Sequence, residues 1–291
     1  MQVFDYLPNE KVCLEIAAIE KERISLLASL KYKKSPQEYC QFYLSTVSGL
    51  EFLKRTQTNA KLKILDIGFG RGETSIHLAS QGHDVHSLDP SPLFCDLLQQ
   101  ASDQFDLGIK VYQGVAEQLH QIADKTFDLC IFNSSLHHCD EPLKCLRQCF
   151  EKLRIGGRIL VINEPILKFY RSKKWFFKKL EDDPISLGHY GGNEHIYYFH
   201  EYLNLLRDAE FSKVKHHLHI QFWHPRLTVQ GDFSRDIDGA YVLSDKKLFF
   251  KFMILLALNR LTSSRYLGRV LLYIGKRLSL FPVSFEGTRE S

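Results

Sequence analysis

The stretch Leu65-Asp66-Ile67-Gly68-Phe69-Gly70-Arg71-Gly72-Glu73 joins a short apolar run, residues 61–66, to an amphipathic one, residues 73–80. The first reads as a strand and the second as a helix, so the glycines occupy a strand-to-helix turn. Without Cβ atoms they tolerate positive φ and let a ligand approach the backbone. The helix N-terminus just beyond offers unpaired N–H groups. A dinucleotide fingerprint counted from Gly68 would require glycine at position 73. The chain has Glu73 there, whose charge would repel a pyrophosphate. No phosphate is expected at this turn.

Outward from the turn, strands and helices alternate. Strands are expected at 84–88 (closing on Asp89), 109–112, 127–132 and 158–162, with helices at 92–101 and 142–153 between them. This rhythm implies an α/β fold with a parallel sheet covered by helices on both faces. In such sheets ligands bind beyond the carboxyl ends of the strands. Upstream, Val12, Ile16 and Ile19 share one helical face, as do Phe42, Thr46, Leu50 and Leu53, so residues 1–58 read as helices. After Pro165 the rhythm breaks into an aromatic, basic insert. A helix at 199–209 and an alternating strand at 214–222 follow, and helical stretches at 246–259 and 265–279 come last.

Asp66-x-Gly68-x-Gly70-x-Gly72 resembles the first motif of class I S-adenosylmethionine-dependent methyltransferases, and the resemblance extends over roughly residues 40–220. It implies a Rossmann-like, doubly wound, mostly parallel seven-stranded sheet with N-terminal helices, an insert after the fifth strand and a helical C-terminal extension. The corresponding division is 1–58, then a cofactor-binding domain at 59–224 with its acceptor-site insert at 165–196, then 225–291. The implied cofactor is S-adenosyl-L-methionine, held by Asp66, Gly68, Gly70 and Gly72. Asp89, followed by Pro90, matches the acid that holds the ribose hydroxyls. Gly114-Val115-Ala116-Glu117 matches the segment bracketing the adenine. Asn133 matches a position lining the methionine moiety, and Leu136-His137-His138 a hydrophobic-His turn. Residues 153–165, through Gly156, Gly157, Glu164 and Pro165, resemble small-molecule methyltransferases, including those of quinone biosynthesis. Taken singly, Asp66 and Asp89 read equally well as helix caps.

Transfer of an already electrophilic methyl group is mainly a matter of alignment. A general base is needed only when the nucleophile holds its proton, as alcohols do. His189, Glu194 and His195, flanking Gly191 and Gly192 at the end of the insert, are the leading candidates, together with His138 after the fourth strand. His137 and His138 read equally well as packing or capping residues. No metal is expected, because the histidines and cysteines lack paired C-x-x-C or H-x-x-x-H spacing.

Apolar residues make up 44% and charged residues 25%, which fits a chain with one well-buried core rather than a disordered one. Seven cysteines without secreted-domain spacing read as reduced thiols, and the expected location is cytoplasmic. The longest apolar run, 248–258, is interrupted by Lys251 and falls short of the roughly 20 residues a bilayer span needs. Between Pro165 and Leu180 lie Lys168, Arg171, Lys173, Lys174, Lys178 and Lys179 among five aromatics, with no acid. Between Lys246 and Arg277 lie Lys247, Lys251, Arg260, Arg265, Arg269 and Lys276, again with no Asp or Glu, and Arg269 and Lys276 oppose an apolar face. Two readings stand: peripheral contact with anionic membrane, or a core-facing helix with a solvated basic side. The expected acceptor is a small molecule or glycan, lipid-linked forms included, methylated on oxygen. Nucleic acid is not expected, since no binding module is recognised. The alternatives are a quinone or lipid C-methyltransferase, a peptide-tailoring or natural-product-tailoring enzyme, a nicotinamide-dependent reductase, and a non-catalytic cofactor-binding module.

Overall fold

A computed structural model describes residues 1–6, 8–123, 126–181, 194–220 and 283–290. His189 and the helical stretches expected at 246–259 and 265–279 lie outside the described residues. The chain begins with a two-residue strand, β1 (Gln2–Val3), and four helices: α1 (Glu10–Glu20), α2 (Arg23–Leu30), α3 (Pro36–Leu44) and α4 (Val47–Thr56). The side chains of Asn9, Ser35 and Thr46 accept backbone N–H groups at the starts of α1, α3 and α4, which satisfies donors a helix end otherwise leaves open.

The alternating region follows: β2 (Lys63–Ile67), α5 (Glu73–Ser80), β3 (Asp84–Asp89), α6 (Pro92–Gln104), β4 (Lys110–Gln113), β5 (Phe127–Asn133), α7 (Pro142–Lys152) and β6 (Leu153–Ile162). The rest comprises β7 (Ile166–Leu167), α8 (Lys173–Glu181), β8 (Tyr197–Tyr198), α9 (Phe199–Asp208), β9 (Ser212–Leu218) and β10 (Val283–Thr288). The main sheet runs β1-β4-β3-β2-β5-β6-β10-β9. Seven strands form its body, as the resemblance implies, and β1 adds an eighth at the edge. All pairings from β1 to β6 are parallel, whereas β10 is antiparallel to both neighbours.

Both faces of the sheet are covered. Leu65, Ile67, Cys130 and Phe132 pack into one core with α7 and α9, while Ile64, Leu129 and Ile131 pack into the other with α5 and α6. Burial on both faces is why these strands read as nearly unbroken apolar runs. The chain moves outward from β2 through β3 to β4, then returns to place β5 on the other side of β2. That reversal opens a crevice at the carboxyl ends of β2 and β5.

The strand β10 has no counterpart in the sequence reading, which gives residues past 279 no element. It inserts between β6 and β9, with Val283, Ser284 and Phe285 buried. Glu51 of α4 fastens this edge. Its buried Oε1 accepts from Arg55 Nε and the Ser284 hydroxyl, each at 2.7 Å, and its Oε2 accepts from the Ile220 N–H at 2.7 Å.

Candidate functional site

A cavity of about 800 Å³ opens at the carboxyl ends of β2, β3 and β5 and is bounded on its outer side by α1. That volume suits a ligand of cofactor size. One end is built by the glycine turn. Gly68, Gly70 and Gly72 all have positive φ, at 71°, 58° and 83°. A Cβ on Gly68 would lie 2.4 Å from Ser135 Cβ, and one on Gly72 would lie 2.8 Å from Leu98 Cδ1, so both need glycine for close packing. At Gly70 a Cβ would meet nothing within 4 Å, so that glycine leaves space beside the backbone.

Asp89 closes β3 at the cavity wall. Its Oδ2 accepts from the Gly70 N–H and its Oδ1 from the Ser91 N–H, each at 2.9 Å. Burial pushes its carboxyl up to about 7. Each oxygen keeps a second acceptor direction, which suits a vicinal diol. Pro90, Phe94, Val115 and Ala116 give the neighbouring wall an apolar lining, with Glu117 beside them. Glu117 Oε1 accepts from the Glu141 N–H at 3.2 Å. Asn133 closes β5. Its Nδ2 donates to the Tyr43 hydroxyl at 2.5 Å, and its Oδ1 accepts from Asn163 Nδ2 at 2.6 Å.

Two expected cofactor residues, Asp66 and Gly72, lie behind this wall and do not line the cavity. Asp66 is buried, and its Oδ2 accepts from the Thr74 and Ser75 hydroxyls at 2.6 Å. It ties β2 to the first turn of α5 and so fixes the glycine turn between them.

The opposite end is polar. Glu164, just past β6, accepts the N–H groups of Ser135 (2.9 Å), Leu136 (3.0 Å) and His137 (3.2 Å). Its Oε2 also accepts from His137 Nδ1 at 2.7 Å. Burial opposes its charge, yet His137 and these donors hold its carboxyl below the usual carboxylate range. Across the ring, His137 Nε2 lies 3.4 Å from Glu194 Oε2. Burial raises the Glu194 carboxyl, and burial also opposes the charge of His137, but Glu164 keeps its imidazole above the ordinary value. The His138 ring lies against that of His137, tilted by 39° with ring centroids 4.1 Å apart. His137, His138 and Glu194 all line the cavity.

Of the four expected catalytic residues, the structure brings Glu194 and His138 to the cavity. His195 does not line it; its Nε2 lies 3.7 Å from Asp140 Oδ1, and its N–H donates to the His137 carbonyl at 3.0 Å. Sequence reasoning passes over His137 as a leading candidate and reads Glu164 only as a strand end. Tyr43 of α3 is also missed, since nothing in a helical face announces a reach of ninety residues to Asn133.

Residues 65–161 match the family model described as a methyltransferase domain. The chain carries a class I S-adenosylmethionine-dependent methyltransferase domain. The ubiquinone biosynthesis O-methyltransferase of Aliivibrio fischeri is 28% identical to it over 97 residues, 33% of this chain and 42% of that protein. The chain therefore spans less than half the length of such curated relatives. Phosphoethanolamine N-methyltransferase 2 of Haemonchus contortus, solved with S-adenosyl-L-methionine, has a TM-score of 0.54 at 14% identity over 90% of this chain and 61% of that one. The (4+2)-cyclase SpnF has a TM-score of 0.57 at 15% identity over 99% of both chains. At these identities the two structures share the fold with the methyltransferase domain and nothing narrower. The cofactor fits the cavity: an open face at Gly70, a carboxylate at Asp89 and an apolar wall at Ala116 stand together at one end.

Proposed function

We propose that the protein transfers the methyl group of S-adenosylmethionine to oxygen of a small-molecule or glycan acceptor, lipid-linked forms included. The observation that carries this reading is the division of one cavity into two ends. Gly68, Gly70 and Asp89 make a cofactor cradle, and His137, His138 and Glu194 make a polar wall beyond it. Bound there, the cofactor supplies a sulfonium methyl group, electrophilic without further activation. The chain's own residues then have two tasks. Gly70 and Asp89 fix one partner, and Asn133, held by Tyr43 and Asn163, fixes the floor between the ends. The polar wall receives the acceptor's hydroxyl and the proton it gives up. Alignment of the two reactants supplies about 7–11 kcal/mol of such barriers.

Likeness to a quinone O-methyltransferase supports an oxygen nucleophile on a small molecule. The exposed basic and aromatic residues of α8 support an enzyme that works in the cytoplasm at the surface of an anionic membrane. The test begins with the cofactor. Asp89→Asn keeps the shape of the side chain but removes its charge. Calorimetry should show S-adenosylmethionine bound about 1.5–3 kcal/mol more weakly than by the wild type. Unchanged affinity would take Asp89 out of the site, and tight NADH binding by the wild type would overturn the class of reaction. Labelled cofactor with a cell extract, followed by mass spectrometry, then identifies the acceptor. Cofactor binding with no transfer would make the domain a binding module.

A further inference from the structure

We propose that His137, His138 and Glu194 form a site for one divalent transition-metal cation at the polar end of the cavity. One ligand atom from each lies within 4.8 Å of the other two. Two imidazoles and one carboxylate are an established ligand set for such ions, and three protein ligands leave positions open for a substrate. All three residues line the cavity, so those positions are accessible from it.

The hydrogen bonding of His137 is the decisive feature. Glu164 is an acceptor already held by three backbone N–H groups, and His137 Nδ1 faces it at 2.7 Å. The ring proton therefore sits on Nδ1. The other ring nitrogen, Nε2, lies 3.4 Å from Glu194 Oε2. That separation is close to the edge of a tetrahedron with bonds of roughly 2.05 Å, about 3.3 Å. The carboxylate behind His137 is also the partner that metal-bound histidines ordinarily have, fixing the tautomer and the ring plane. Sequence spacing argues against a metal, and the fold assembles the set from two distant segments.

As a cation site the cluster stands on geometry alone. Its use rests on the methyl-transfer reading above: an acceptor hydroxyl entering an open position would become more acidic beside the ion.

The full chain, stripped with a chelator and kept reduced with a non-thiol reductant, is titrated with Co(II) and followed by visible absorption. Saturation at a single site is expected, with d–d bands and without the intense thiolate-to-metal band. The second criterion excludes the other cluster of ligand type, Glu117, Cys139 and Cys145. His138→Ala and Glu194→Gln should each weaken binding at least ~10-fold, and Glu164→Gln, a positioning change, by ~10–100-fold. Circular dichroism checks that each variant is folded. No saturable spectrum, a thiolate band lost in Cys139→Ser, or unchanged affinity in both ligand variants would overturn the site. Cofactor affinity of the metal-free protein is measured separately, so failure of the cation site and failure of the methyl-transfer reading give different results.

Discussion

Asp66 holds its carboxyl where water cannot reach it. Both hydroxyl donors go to Oδ2, and the buried Oδ1 has no hydrogen-bond partner. Burial raises its carboxyl above the ordinary range, against the Ser75 and Thr74 hydrogen bonds that lower it. The folded chain therefore binds this proton more tightly than the unfolded chain. The resulting stability is present at low pH and falls as pH rises from the unfolded value of 3.8 through the folded one. Asp66→Asn removes the titration and leaves a fixed cost. Urea melts at about pH 5 and about pH 8 should show the variant gaining on the wild type at the higher pH. A constant difference would mean that Asp66 is not held above its unfolded value. Residue roles of this kind were only partly legible in the sequence. The positions of Gly70 and Asp89 follow from a local strand-turn-helix pattern, whereas the pairing of His137 with Glu164 and Glu194 depends on contacts that no local pattern encodes. Asp66 belongs between these cases. Its motif marks it as part of the site, and only the fold shows that it braces the turn from behind.

Elements buried on both sheet faces announce themselves, because Leu129 to Phe132 is apolar without a break and Asp66 alone interrupts Ile64 to Ile67. β10 does not. Val-Ser-Phe-Glu-Gly-Thr, residues 283–288, has few apolar residues and a glycine whose Cβ would lie 2.8 Å from Phe211 Cβ. It is a strand because β6 and β9 offer it backbone partners on both sides. Its weight in the fold rests on Phe285, fully buried between Phe199 and Tyr202 with ring centroids at 5.7 and 5.2 Å. Phe285→Ala should cost about 3–5 kcal/mol, read as a lowered urea midpoint with an unchanged slope. A loss below about 1 kcal/mol would show that the edge holds without this contact. Glu51 would then be the chief tie between α4 and β10, since it already bonds Ser284.

At the scale of the molecule, the cavity lies at the carboxyl ends of the central strands and the basic insert follows directly from β6. No residue of α8 is fully buried. Phe169, Tyr170, Trp175 and Phe177 are 51%, 55%, 39% and 38% exposed, more than packing against a protein core would leave. Arg171 lies over the Trp175 ring at 4.1 Å, so cation and aromatic are presented together. Lys173 is paired with Glu201, but Lys174, Lys178 and Lys179 are exposed and α8 carries one acid, Glu181. Among the described residues no helix is long and apolar enough to cross a membrane. An interfacial helix needs no such length, only aromatics that enter the headgroup layer and cations that meet anionic lipid. Each lysine near such a surface contributes about 1 kcal/mol, screened by salt. The wild type should therefore sediment with vesicles containing phosphatidylserine, not with neutral ones, and high salt should release it. Lys174→Glu with Lys178→Glu removes about 2 kcal/mol of attraction before any repulsion is counted, so binding should fall roughly thirtyfold or more. Both residues are remote from Gly70 and Asp89 in the chain and absent from the cavity lining, so cofactor affinity is the control. If the wild type ignores anionic vesicles at low salt, the aromatic face of α8 serves contacts within the protein or with another protein. If only the double variant fails to lose binding, the attachment lies in residues 265–279, whose basic and apolar faces the sequence also separates.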